Sequence, residues 1–137
     1  MGVELTLNMT CIDIKRGNDM LDVTQRNAVI DSIKRGKYDC ILVCPPCNTW
    51  TRARFSGLPG PKPLRGILHP RGFPNLTEAR QKECDDGTQL VLFTLDVLKA
   101  AASLNNTGAI HCRVIAEHPE DWGFATRGTP ASVGRNN

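Results

Sequence analysis

The sequence predicts an α/β domain: a partial Rossmann-like fold with a mostly parallel sheet. Three observations point there. Tyr38 to Cys44 is a run of strand length that is apolar on both faces, which suits the interior of a parallel sheet. β-rich stretches and helical stretches alternate along the chain, the pattern of βαβ units. The links around the first helical stretch are short, so neighbouring elements are expected to pack side by side.

The elements follow in order. Val3, Leu5, Thr6, Leu7, Thr10, Ile12 and Ile14 predict a first strand ending near Asp13, before the turn Lys15-Arg16-Gly17-Asn18. Thr24 to Arg35 reads as a helix, because Val23, Ala28, Ile30 and Ile33 can share a face. Asp22 or Thr24 suits its cap and Gly36 its end. The second strand, Tyr38 to Cys44, runs into Pro45-Pro46-Cys47. Residues 48–76 hold most of the chain's 9 prolines and no acid, and read as a long loop. Thr77 to about Leu104 predicts the longest helix, with Gly87 as a candidate break and Asn105 to Gly108 as its stop. Ala109 to Ala116 predicts a third strand, ending at Glu117-His118-Pro119. Residues 123–137 read as a poorly ordered tail after a domain spanning 1–122.

Composition bounds the function. A chain of 137 residues is one domain, large enough for a real core. No apolar run reads as membrane-spanning and no secretory leader is evident, so an intracellular protein with reduced thiols and no membrane partner is expected. The net charge of +3 is too small to identify a nucleic-acid partner. The position of the charge says more. Arg52, Arg54, Lys62, Arg65 and Arg71 share the acid-free loop with Trp50, Phe55 and Phe73, a combination that suits a phosphate backbone with stacked bases or a plain solvated loop. The 6 cysteines make no zinc-like pairing of Cys and His doublets.

In a parallel sheet, strands two and three end on one side. Cys47 follows one end and Glu117 the other, so a thiol nucleophile and an acid can converge on one ligand. The plainer alternative is a strand terminator beside a solvated carboxylate. Asp13, at a strand end, suits either a ribose-hydroxyl acceptor or a helix-capping acid.

The segment Pro45-Pro46-Cys47-Asn48-Thr49-Trp50-Thr51-Arg52-Ala53-Arg54, led by the strand from Tyr38, resembles the catalytic motif of cytosine-5 DNA methyltransferases. Gly60-Pro61-Lys62-Pro63-Leu64-Arg65 and His69-Pro70-Arg71-Gly72 resemble a divergent branch of that family. Val114-Ile115-Ala116-Glu117-His118-Pro119 stands where the family has a strand ending in Glu-Asn-Val. The resemblance implies S-adenosylmethionine as cofactor and cytosine-containing DNA as partner. It implies Cys47 as the nucleophile on carbon 6 of a flipped cytosine, with Glu117 holding a proton at ring nitrogen 3. It places Asp13, Asp19 and Pro45 at the cofactor, and Arg52, Arg54, Lys62, Arg65 and Arg71 at the nucleic acid.

Several family features have no counterpart here: the opening strand with its glycine-rich cofactor loop, the target-recognition region and the closing helix. Asn48 stands where Gln is usual, and His118-Pro119 where Asn-Val is usual. The expectation is therefore a partial catalytic domain. It is a methyltransferase, one part of a split methyltransferase completed by a second chain, or a non-catalytic nucleic-acid-binding remnant.

Overall fold

The computed structural model of the chain describes residues 6–55, 59–108 and 111–118. Two helices and a two-stranded parallel sheet form an α/β unit. Helix α1 spans Val23–Lys34 and strand β1 Cys40–Val43. Helix α2 spans Glu78–Asn105, and strand β2 Arg113–Ala116.

Helix α1 starts where its chemistry dictates. The Asp22 carboxylate accepts the Gln25 amide at 3.0 Å, which satisfies one otherwise orphaned donor of the first turn. The chain leaves the helix through Gly36, whose φ of 71° lies in the left-handed region that costs glycine least. Helix α2 runs unbroken through Gly87, so the break expected there is not formed. Thr77 stands at its N-cap without a side-chain cap bond.

The core lies between the helices and one sheet face. Ile33 of α1 packs with Phe93, Val97, Ala100, Ala101 and Leu104 of α2, and Ile41, Val43 and Val114 close the cluster from the sheet. By length and composition α2 is apolar enough to cross a membrane, contrary to the expectation that no stretch of this chain is; here its apolar stripe carries this core. Asn105 fastens the far end. Its amide donates to the Cys112 carbonyl at 2.9 Å and its side-chain oxygen accepts the Cys112 amide at 2.7 Å. Those two bonds imitate a strand neighbour and set where β2 begins.

Strands β1 and β2 pair in parallel with Cys40 opposite Arg113 and Val43 opposite Ala116. The expected burial of both faces is not found. Leu42 is 68% exposed and Ile115 59%, because among the described residues no element covers that face. The predicted first strand is also absent over the described residues. Residues 6–13 have no regular structure, and Ile14–Arg16 form a 3-10 turn capped by Asp13. Alternation marked this stretch as β, but a strand exists only when a neighbour takes its hydrogen bonds. Residues 1–5, like the predicted tail from 123, lie outside the described residues.

Candidate functional site

The parallel pairing delivers both proposed chemical groups to one sheet edge. The Glu117 amide donates to the Val43 carbonyl at 2.9 Å, extending the ladder one step beyond β2. Pro45 and Pro46 then stop β1, and Cys47 opens a turn in which its carbonyl accepts the amides of Trp50 and Thr51, each at 2.9 Å. The side chains of Cys47 and Glu117 are both exposed at this end. The rings that follow them meet: Trp50 and His118 pack edge to face, centroids 5.6 Å apart at 66°.

The turn is seated on α2 at Gly87. A Cβ at that position would lie 2.8 Å from the Thr49 hydroxyl oxygen, 3.4 Å from an Arg65 nitrogen and 3.6 Å from the Trp50 indole nitrogen. The missing side chain is therefore a space requirement. Sequence alone suggested a helix break at Gly87; the contact that explains it comes from a residue far along the chain.

Asp13, Asp19 and Pro45, assigned to the cofactor by resemblance, line one cavity of about 430 Å³. Asp13 accepts the Lys15 amide at 2.7 Å, and Asp19 accepts the Leu21 amide at 2.9 Å. Each carboxylate keeps further acceptor capacity beyond these bonds. Most of the wall is apolar, including Met20, Ile33, Phe93 and Val97. A mostly apolar cavity of this size with two acids suits a nucleoside-bearing ligand. Cys47 and Glu117 are not among its lining residues.

The basic loop behaves differently from expectation at two of its five cations. Arg65 is 1% exposed. It donates to the carbonyls of Cys84 and Pro70 and to the Thr88 hydroxyl, and its guanidinium lies over the Trp50 ring, 3.9 Å from the centroid. Burial lowers its pKa from the usual arginine value. Arg54 pairs with Glu83 at 2.6 Å and donates to the carbonyls of Asn48 and Lys62. As nucleic-acid contacts these two assignments are corrected: a guanidinium buried against a tryptophan, or paired with a carboxylate, is not free to reach a phosphate. The loop lacks acids, but Glu83 and the carbonyls around it supply partners through space. Lys62 and Arg71 are exposed and available, and Arg52 lies in the 3-10 turn Arg52–Phe55.

Among the described residues, no group of His, Cys, Asp and Glu is placed to hold a metal ion. Compared with protein-family models, curated proteins and solved structures, the chain matches none.

Proposed function

We propose that the chain is a cytosine-5 DNA methyltransferase-like protein in which Cys47 and Glu117 act on a flipped cytosine. One observation carries the reading. A strand-end thiol and a strand-end carboxylate leave adjacent parallel strands on the same edge, joined by the Glu117 amide to Val43 carbonyl bond.

The division of labour follows from the two groups. The Cys47 thiolate adds to carbon 6 of the ring, which moves electron density toward carbon 5 and nitrogen 3. Glu117 keeps a proton at nitrogen 3 and offsets the charge that develops there. S-adenosylmethionine, when bound, supplies an electrophilic methyl group, and Asp13, Asp19 and Pro45 would hold it. The base must leave the stack to reach Cys47, and Lys62 and Arg71, both exposed, would hold the backbone while it does.

The test is methyl transfer from tritiated donor to cytosine-containing DNA, with Cys47→Ser and Glu117→Gln beside the natural sequence. Incorporation that vanishes in Cys47→Ser is the expected result. Equal background counts in all three would sink the reading. A second reading, one part of a split methyltransferase, draws on the sheet face that is left open and on the two strands found among the described residues. It predicts that incorporation appears only when a further polypeptide is added.

A further inference from the structure

One turn of the basic loop carries apolar residues at its tip. Gly66 and His69 bond each other across it: the His69 amide donates to the Gly66 carbonyl at 2.9 Å and the Gly66 amide to the His69 carbonyl at 3.3 Å. The corner residues between them are Ile67 and Leu68. Turn corners ordinarily take Gly, Pro, Asn, Asp or Ser, for backbone reasons that a leucine does not serve. Leu68 is 80% exposed, and Ile67 is half-buried.

Both arms of the turn are held. Leu64, Arg65 and Gly66 are buried on the leading arm. The Phe73 amide donates to the Leu64 carbonyl at 2.8 Å, and Arg65 donates to the Pro70 carbonyl at 2.9 Å, so the returning arm is tied to the leading one. The rings of His69 and Phe73 pack edge to face, centroids 5.7 Å apart.

Two arginines fasten this turn to the one that follows Cys47. Arg65 lies over the Trp50 ring, and Arg54 donates to the carbonyls of both Asn48 and Lys62. The two turns thus share one platform. The aromatic residues of the same loop are less available for stacking: Trp50 is 5% exposed, and Phe55 and Phe73 are half-buried.

We propose that Leu68 is a wedge that enters the base stack of duplex DNA while Lys62 and Arg71 hold the phosphates. The proposal rests on the methyltransferase reading, which requires a base to leave the stack. Charge selects the occupant. Lys62 and Arg71 stand on either side of the turn in sequence, both exposed, and residues 48–76 hold no acid to repel a phosphate. Glu83, which reaches this loop from α2, is paired with Arg54. Leucine is among the side chains that proteins insert between base steps. Once inserted, it covers the bases on either side and hinders the return of the extruded one.

Anisotropy titrations of the full chain test this, with a fully paired duplex and the same duplex carrying one abasic gap. The gap lowers the cost of unstacking, so the natural sequence is expected to bind it at least about tenfold more tightly. Leu68→Ala is expected to lose most of that preference and Leu68→Phe to keep it. Lys62→Ala is expected to weaken both duplexes alike. Because Leu68 is exposed, its variants are expected to melt as the natural sequence does. A gap preference unchanged in Leu68→Ala overturns the wedge. So does the absence of any preference, or of duplex binding. Methyl transfer is judged apart, on single-stranded DNA, where no base has to leave a duplex. Incorporation there keeps the methyltransferase reading when the wedge fails. A gap preference lost in Leu68→Ala, with no incorporation on any DNA, keeps the wedge and removes the chemistry.

Discussion

Trp50 and His118 join the two strand-end motifs: their rings meet edge to face, 5.6 Å apart, just beyond Cys47 and Glu117. The contact ties the segments that follow the two strands to each other. It also gives His118 a structural task. A double-mutant cycle with Trp50→Leu and His118→Ala is expected to show coupling of about 0.5–1.5 kcal/mol. Strict additivity would mean the rings are neighbours without consequence.

Gly87→Ala pits helix propensity against space. Alanine is favoured in a helix by about 1 kcal/mol. Its methyl group would stand 2.8 Å from the Thr49 oxygen, closer than any relaxed contact. We expect a net loss of about 1–3 kcal/mol in denaturant unfolding. A net gain in stability would show that the Thr49-Trp50 turn moves away freely.

Arg65→Lys keeps the charge and loses the fork. Lysine cannot reproduce the flat stacking over Trp50 together with bonds to Cys84, Pro70 and Thr88. A loss of about 2–4 kcal/mol is expected from the unpaired acceptors and the poorly placed buried charge. Stability within experimental error of the natural sequence would remove the guanidinium's special role.

If the chain binds DNA, the salt dependence of binding should separate the loop's cations. Replacing Lys62 or Arg71 is expected to reduce the salt slope by about 1 each. Arg54→Gln should leave the slope nearly unchanged, since Glu83 and two carbonyls already hold that side chain. A larger slope change for Arg54 than for Lys62 would reverse this assignment.

Alkali should loosen the fold through its buried thiols. Burial raises the pKa of Cys84 and of Cys112 above the ordinary value of 9.0. The native state thus holds these protons more tightly than the unfolded chain does. Stability tied to them is complete below the unfolded thiol value and is lost as pH rises through the raised native values. Urea midpoints should fall above about pH 9, and Cys84→Ala with Cys112→Ala should flatten that decline. Thiol labelling offers a second readout: Cys11, Cys40, Cys44 and Cys47 are exposed and should react before Cys84 and Cys112.

The parts of this fold that were legible in the sequence are those where local pattern and tertiary setting agree. The apolar run ending in Pro45-Pro46 is β1, and the spacing of Ile30 and Ile33 placed α1 to within a residue. The stretch from Val3 to Ile14 has equally good alternation, yet its described part forms no strand, because alternation names a face and not the neighbour that pairs with it. The basic loop misled for a related reason. The loop holds no acid of its own, yet Arg65 is held by a hydroxyl and carbonyls that come largely from α2, far from it in sequence. That Cys47 and Glu117 follow the same ends of two paired strands was legible as soon as the sheet was read as parallel.

Helix α2 does more than fill the core, because it grips the chain at both ends. Gly87 seats the turn after Cys47, and Asn105 pins the start of β2, which leads to Glu117. These two grips stand about five turns apart and so look out from the same side of the rod. The helix works as a ruler whose length and phase together set where thiol and carboxylate emerge. Deleting a single residue between the grips would swing one of them by about 100° around the axis. Between Gly87 and Asn105, side chains on the outer surface are free to vary while the number of residues is not.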